Sequence, residues 1–367
     1  MGRSKPSRGL PPAAFRKDIR AKKAKATINK VIPALLTAHP RARDGINSSE
    51  LVTPNTLPNH EKQRATSKPT SHPGPNSPPR ITLRVVDTLA AARSLLACPP
   101  SGELDLTNSK ARVAILNMAS PLSPGGGFLH GATSQEESLC MRTTLLPSLR
   151  DDFYRLPEVG AVYTPDVLVF RDEEAEDLIK RDRWFVNCVS AAMLRQPDTE
   201  MGKDGTPERY TNQKDRELVL QKMEWVMQVF QAKAAKKVVL GAWGCGAYGN
   251  PVDEVAAAWK HVLGGPNARW EGIEEIVFAI SSARMAHRFS EAYGDGLTME
   301  EYHDPADDET DGDSTELARL EEVQSKIDQL EVSLAQARSP ELKMGLSRAI
   351  AGLQDQLGSH DTDVNET

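Results

Sequence analysis

Arg112-Val113-Ala114-Ile115-Leu116-Asn117 sets four apolar residues in a row with no polar alternation. A strand written that way is buried on both faces. Its sheet therefore needs a covering layer on each side, which only helices or a second sheet supply. Residues 81–86, 167–170, 184–189, 237–240 and 275–280 are short apolar runs of the same kind and predict further strands. Between them, 88–97, 134–149, 213–234, 252–263 and 283–292 predict helices. The alternation predicts one layered α/β domain over about 80–295, with ligands bound in loops beyond the carboxyl ends of the strands.

The flanks differ from this body. Residues 1–80 hold 16 Lys and Arg against 4 Asp and Glu, a balance of +12, so a net charge of −6 leaves −18 for the rest. A basic arm on an acidic body predicts contact with a polyanion or the nuclear import machinery, and a solvated tail is the alternative. Within the arm, Phe15, Ile19, Ile28, Ile32 and Leu35 predict an accessory helix over 12–40, with Pro33 as a kink or break. Residues 1–11 are expected to be a disordered basic tail. Residues 41–79, rich in Pro, Ser, Thr and Asn, are expected to form a flexible linker. At the other end, 299–316 is an acidic linker. Leu320, Val323, Ile327, Leu330 and Leu334 then fall at a/d spacing, Ser339-Pro340 interrupts, and Leu342, Leu346, Ile350 and Leu353 resume the stripe. Residues 317–358 thus predict a helical hairpin or coiled coil, with self-association, docking on the body and disorder all open.

Cys98, Cys140, Cys188 and Cys245 form no CxxC pair, so neither a zinc cluster nor a disulfide framework is expected, and a reducing compartment fits. No apolar run opens the chain or approaches about 18 residues, so neither a secretory leader nor a membrane span is expected. No His, Asp or Glu spacing predicts a metal site.

Two loops carry the chemistry. The first follows the 112–117 strand: Gly125-Gly126-Gly127, then seven residues, then Gln135-Glu136-Glu137 at a predicted helix start. Glycines strip side chains from the loop and let N–H groups approach an anion. A carboxylic acid beside them suits glycosidic cleavage, where one group protonates the leaving oxygen and then activates water. Adjacent residues of a helix point about 100° apart, so one Glu is expected to do the chemistry and the other to fix a ribose hydroxyl. Phe128 and His130 either line the ribose or pack the loop. The second loop, Gly244-Cys245-Gly246-Ala247-Tyr248-Gly249, also lies between a predicted strand and helix, the position of a phosphate cradle. No histidine near Cys245 in sequence marks it as a nucleophile, and a small packing residue is expected there.

The GGG and QEE signature, with the flanking Leu116-Asn117-Met118-Ala119-Ser120-Pro121 and Glu137-Ser138-Leu139-Cys140, resembles the microbial-type poly(ADP-ribose) glycohydrolase family. The resemblance covers roughly 12–38 and 80–290. It implies a macrodomain-like three-layer α/β/α fold with a mixed sheet, spanning 80–298. It implies Glu137 as acid/base, Glu136 as the residue that positions the scissile ribose, and Gln135 as a brace. Asn117 would hold the terminal ribose, Gly125, Gly126, Gly127 and Phe128 would line ribose and diphosphate, and the 244–249 loop would cradle the diphosphate with Tyr248 packed on the sugar. The implied partners are poly(ADP-ribose) or ADP-ribosylated proteins, with ADP-ribose as product, no cofactor, no membrane, and a nuclear or cytoplasmic location. A mono-ADP-ribosyl adduct or ADP-ribose-1″-phosphate as substrate, and a non-catalytic reader of ADP-ribose, are the alternatives.

Overall fold

A computed structural model describes residues 13–57, 78–98, 100–201, 208–265 and 270–300, with Ser347. The basic tail, the linker over 58–77, the acidic linker beyond Glu300 and the 317–358 hairpin or coiled coil lie outside the described residues, Ser347 aside, while the first two residues of that acidic linker belong to a strand. The body is the unit Lys17–Tyr302.

Its centre is an eight-stranded mixed sheet. The long strands are β5 (Val113–Met118), β6 (Ala161–Val169) and β7 (Trp184–Ala191). Shorter ones are β1 (Glu50–Val52), β2 (Arg80–Arg84), β10 (Lys237–Leu240), β11 (Glu275–Ala279) and β12 (Thr298–Glu300). The hairpin pairs β3 (Ala97–Cys98) with β4 (Glu103–Leu104) and β8 (Thr199–Glu200) with β9 (Arg209–Tyr210) stand apart. The spatial order is β1-β6-β7-β5-β10-β11-β2-β12. Everything from β7 to β12 is parallel, while β6 runs antiparallel to both β7 and β1.

The helices are α1 (Ala13–Ala26), α2 (Ile32–Ala38), α3 (Pro40–Asn47), α4 (Thr88–Ser94), α5 (Gln135–Arg142), α6 (Gln213–Ala232), α7 (Val252–Gly264) and α8 (Ala283–Tyr293). Along β5, Ala114 and Leu116 enter one apolar cluster and Val113 and Ile115 the other. Strand residues alternate faces, so the two clusters lie on opposite sides of the sheet. Val226, Trp259 and Phe289 from α6, α7 and α8 fill the first. Leu89 and Ala92 from α4 and Leu139 from α5 enter the second. The doubly buried strand predicted from 112–117 is therefore β5, in the middle of the sheet.

Three expectations change. The accessory helix runs on from Ala13 to Ala38 through a π-helical turn, Thr27–Val31, and Pro33 sits in the first turn of α2 without the break expected there. The linker expectation fails for its first third, because α3 and β1 are ordered against β6. Gly45 has no Cβ and brings α3 against the Pro165 carbonyl, Arg41 reaches the Asp166 carboxylate at 2.6 Å, and Val52 enters the core. The helix expected over 134–149 stops at Arg142, where Thr143 turns extended and bridges to Val169.

Candidate active site

β5, α5 and the loop between them build the centre of the site. Ser134 is extended and opens α5, so Glu136 and Glu137 fall in the first turn, where the helix dipole favours negative charge. Gln135 ties that turn to the strand. Its Oε1 accepts from the Met118 N–H (2.8 Å), and its Nε2 donates to the Leu116 carbonyl (2.7 Å) and to Thr88 Oγ1 (3.1 Å). The brace assigned to Gln135 thus runs through the β5 backbone and not through the two glutamates.

Both carboxylates are buried, Glu136 3% and Glu137 6% exposed. Glu137 Oε1 accepts the Gly127 N–H at 2.8 Å, and its Oε2 accepts the Ser134 hydroxyl. Glu136 Oε2 accepts the Ser120 N–H at 2.7 Å, and its Oε1 faces Asn117 Nδ2 at 3.3 Å. Burial pushes the Glu136 carboxyl up to about 8, opposed by the Ser120 N–H and reinforced by the charge on Glu137. Asn117 is fully buried and also donates to Ser190 Oγ at 3.0 Å, while its Oδ1 accepts nothing among the described residues.

The glycine triplet serves the carboxylates. The Gly127 N–H points at Glu137, the Gly125 N–H at Glu136, and the Gly126 N–H at the Ser123 carbonyl. The Gly125 and Gly127 amides thus meet the protein's own carboxylates, where the expectation has the loop line ribose and diphosphate. Phe128 is 2% exposed and packs with Ala24 and Cys140, under α1, the packing member of its two expected roles. His130 is exposed.

The second loop is held differently. Asn250 is buried, accepts from the Tyr210 hydroxyl (2.8 Å), and donates to the carbonyls of Leu194 (2.8 Å) and Gly244 (3.0 Å). Gln196 donates to the Tyr248 and Ala247 carbonyls. Among the described residues the N–H groups of Gly246, Ala247 and Tyr248 meet no acceptor, so this loop does keep open donors. Cys245 leans on the core and its thiol is pushed up by burial, as fits a packing residue. Tyr248 is half-buried and hydrogen-bonds Ser120, which joins the second loop to the residue that holds Glu136.

Tyr154 had no signal in the sequence. Its hydroxyl is buried without a partner among the described residues, and burial followed by the charge of Glu136 holds it well above the usual phenol range. It stands in an irregular segment ahead of β6, where neither period nor motif marks a side chain.

Residues 41–172 match the family model described as microbial-type PARG, catalytic domain. The crystal structure of poly(ADP-ribose) glycohydrolase from Thermomonospora curvata aligns with a TM-score of 0.56 at 25% identity, over 76% of this chain and 98% of that one. The same protein bound to the inhibitor ADP-HPD aligns at 0.53 and 25%, over 76% and 98%. Poly(ADP-ribose) glycohydrolase from Deinococcus radiodurans in complex with ADP-ribose shares the fold at 0.51 and 23%, over 70% and 96%. The sequence matches no protein among those of curated function.

Proposed function

We propose, for a chain whose residues 41–172 carry the microbial-type poly(ADP-ribose) glycohydrolase catalytic domain, that it is a glycosidase cutting the ribose–ribose O-glycosidic bonds of poly(ADP-ribose) to release ADP-ribose. One observation carries the reading: two buried carboxylates stand side by side, each held by a main-chain N–H. Burying two carboxyl groups side by side is unfavourable, and a fold has no need of it. A hydrolase does, because its transition state carries positive charge on the ribose ring.

In this reading Glu137 protonates the oxygen that leaves C1″, and as a carboxylate it then takes a proton from the attacking water. The Gly127 N–H and the Ser134 hydroxyl fix its orientation through both steps. Glu136 and Asn117 face one another and hold the ribose hydroxyls, with Asn117 Oδ1 the open acceptor. The Gly246–Tyr248 amides receive the diphosphate, and the Tyr248 ring covers the sugar.

The test is release of ADP-ribose from an automodified, poly(ADP-ribosyl)ated protein by wild type and Glu137→Gln. Turnover by wild type alone, with a loss of about 10²–10⁴ in the variant and ADP-ribose binding retained, is the expected result. No release by wild type, with ADP-ribose still bound in a calorimeter, overturns the reading in favour of a mono-ADP-ribosyl or 1″-phosphate substrate, or of a reader.

A further inference from the structure

A cavity of about 230 Å³ is walled by Pro121, Leu156, Pro157 and Met193, with Arg195 and Lys222 as its cations and Glu158 as its one carboxylate. Pro121 follows Ser120, whose N–H holds Glu136, and its carbonyl accepts from the Leu156 N–H at 3.0 Å. Arg195 precedes Gln196, whose N–H donates to the Tyr248 carbonyl at 2.8 Å. The cavity therefore shares walls with the site and lies outside the two glycine loops.

Lys222 is the unusual residue here. It is 6% exposed, in the middle of α6. Its ammonium donates to the carbonyls of Glu158 and Ala192 (3.2 Å), and the Glu158 carboxylate acts on its charge from beyond ion-pair distance. An ammonium has three donors, so two carbonyls leave one over. A buried ammonium whose only carboxylate stands beyond ion-pair distance gains from an anion that takes its remaining donor. Arg195 is exposed at the rim and, among the described residues, has no carboxylate partner.

The order of strands gives the direction. Along the sheet run β6, β7, β5 and β10. In the proposed function the diphosphate sits over the β10 loop and the scissile ribose over the β5 loop. A polymer continued in the same direction passes over the ends of β7 and β6, where Ala192–Arg195 and Leu156–Glu158 form the cavity. What leaves the scissile ribose there is the adenosine of the next unit, bearing its own 5′ phosphate. An apolar wall of proline, leucine and methionine suits the base, and two cations against the single carboxylate of Glu158 leave a net positive charge for the phosphate. The volume is below the 300–1,000 Å³ of pockets for whole ligands, so it fits part of a unit rather than a second ADP-ribose.

We propose that this cavity is a leaving-side subsite, in which Arg195 and Lys222 hold the phosphate-bearing adenosine of the penultimate unit and so select polymer over single ADP-ribose. The proposal rests on the glycohydrolase reading. Its test is steady-state hydrolysis of poly(ADP-ribose) by wild type, Arg195→Gln and Lys222→Met, with calorimetric titration of free ADP-ribose into each. Arg195→Gln is expected to raise KM for the polymer about tenfold with kcat within twofold, and to leave the Kd for ADP-ribose within twofold. Lys222→Met, if its melting temperature is kept, shifts the same constant in the same direction. An unchanged polymer KM in Arg195→Gln overturns the subsite. So does an equal loss of ADP-ribose affinity, which would place the cavity under the terminal unit. Absence of polymer turnover by wild type is a different result and removes the underlying function instead.

Discussion

Gly126 and Glu137 touch where no side chain could stand between them. A Cβ placed on Gly126 would lie 2.7 Å from Glu137 Oε1 and 3.1 Å from Glu136 Oε2, and the backbone there has a φ of +55°. The glycine is therefore required twice, by conformation and by space. The loop closes directly over the carboxylates, and its neighbour's N–H completes the contact.

Gly126→Ala is accordingly expected to displace Glu137 from the Gly127 N–H. Turnover falls by at least two orders of magnitude, and folding loses roughly 1–3 kcal/mol. Chemical denaturation and ADP-ribose release measure the two effects. Wild-type turnover in a folded variant would show that the carboxylate tolerates a shift.

The buried Glu136 links stability to pH. Its carboxyl holds a proton up to about pH 8 in the folded protein, against an ordinary value of 4.5. Between those values the folded state binds the proton and the unfolded state has released it. Stability is full below pH 4.5 and declines as pH rises toward 8, by at most about 4–5 kcal/mol from this group. Glu136→Gln removes the titrating group, so the melting temperature of wild type should fall relative to the variant between pH 5 and pH 8. Parallel curves would show that Glu136 ionises freely when folded.

The signature loop is also clamped from outside. Gly131 has a φ of +78°, and a Cβ there would run into the Lys17 carbonyl oxygen on α1, while Arg20 Nε donates to the Gly131 carbonyl at 2.9 Å. Gly131→Ala should lift the Lys17–Ala26 part of α1 and expose Phe128 beneath it. Faster amide exchange over residues 17–31 and 128–134, with reduced turnover, is the expected outcome. Unchanged exchange would mean that α1 accommodates the methyl.

Much of this was legible in the chain itself. β5 was marked by Val113–Leu116 because a strand covered on both sides needs no polar face, and β10 by its four residues for the same reason. The start of α5 was marked by Ser134 and the acidic first turn, and the GGG and QEE spacing marked the two glutamates of that turn. These features are local: period, capping and backbone conformation act within a few residues, so composition over a short window determines them. The edge strand β1 was hidden because three residues have no period to display, and its order comes from β6. What the glycine amides bind was decided by the tertiary structure alone, since a loop of bare N–H groups looks alike whether it faces a ligand or the protein's own carboxylates. The burial of Phe128 under α1 and the meeting of Tyr154 with Glu136 were decided the same way. Each depends on residues far apart in the chain, brought together by packing of the sheet and its helices, and no spacing in the sequence encodes that distance.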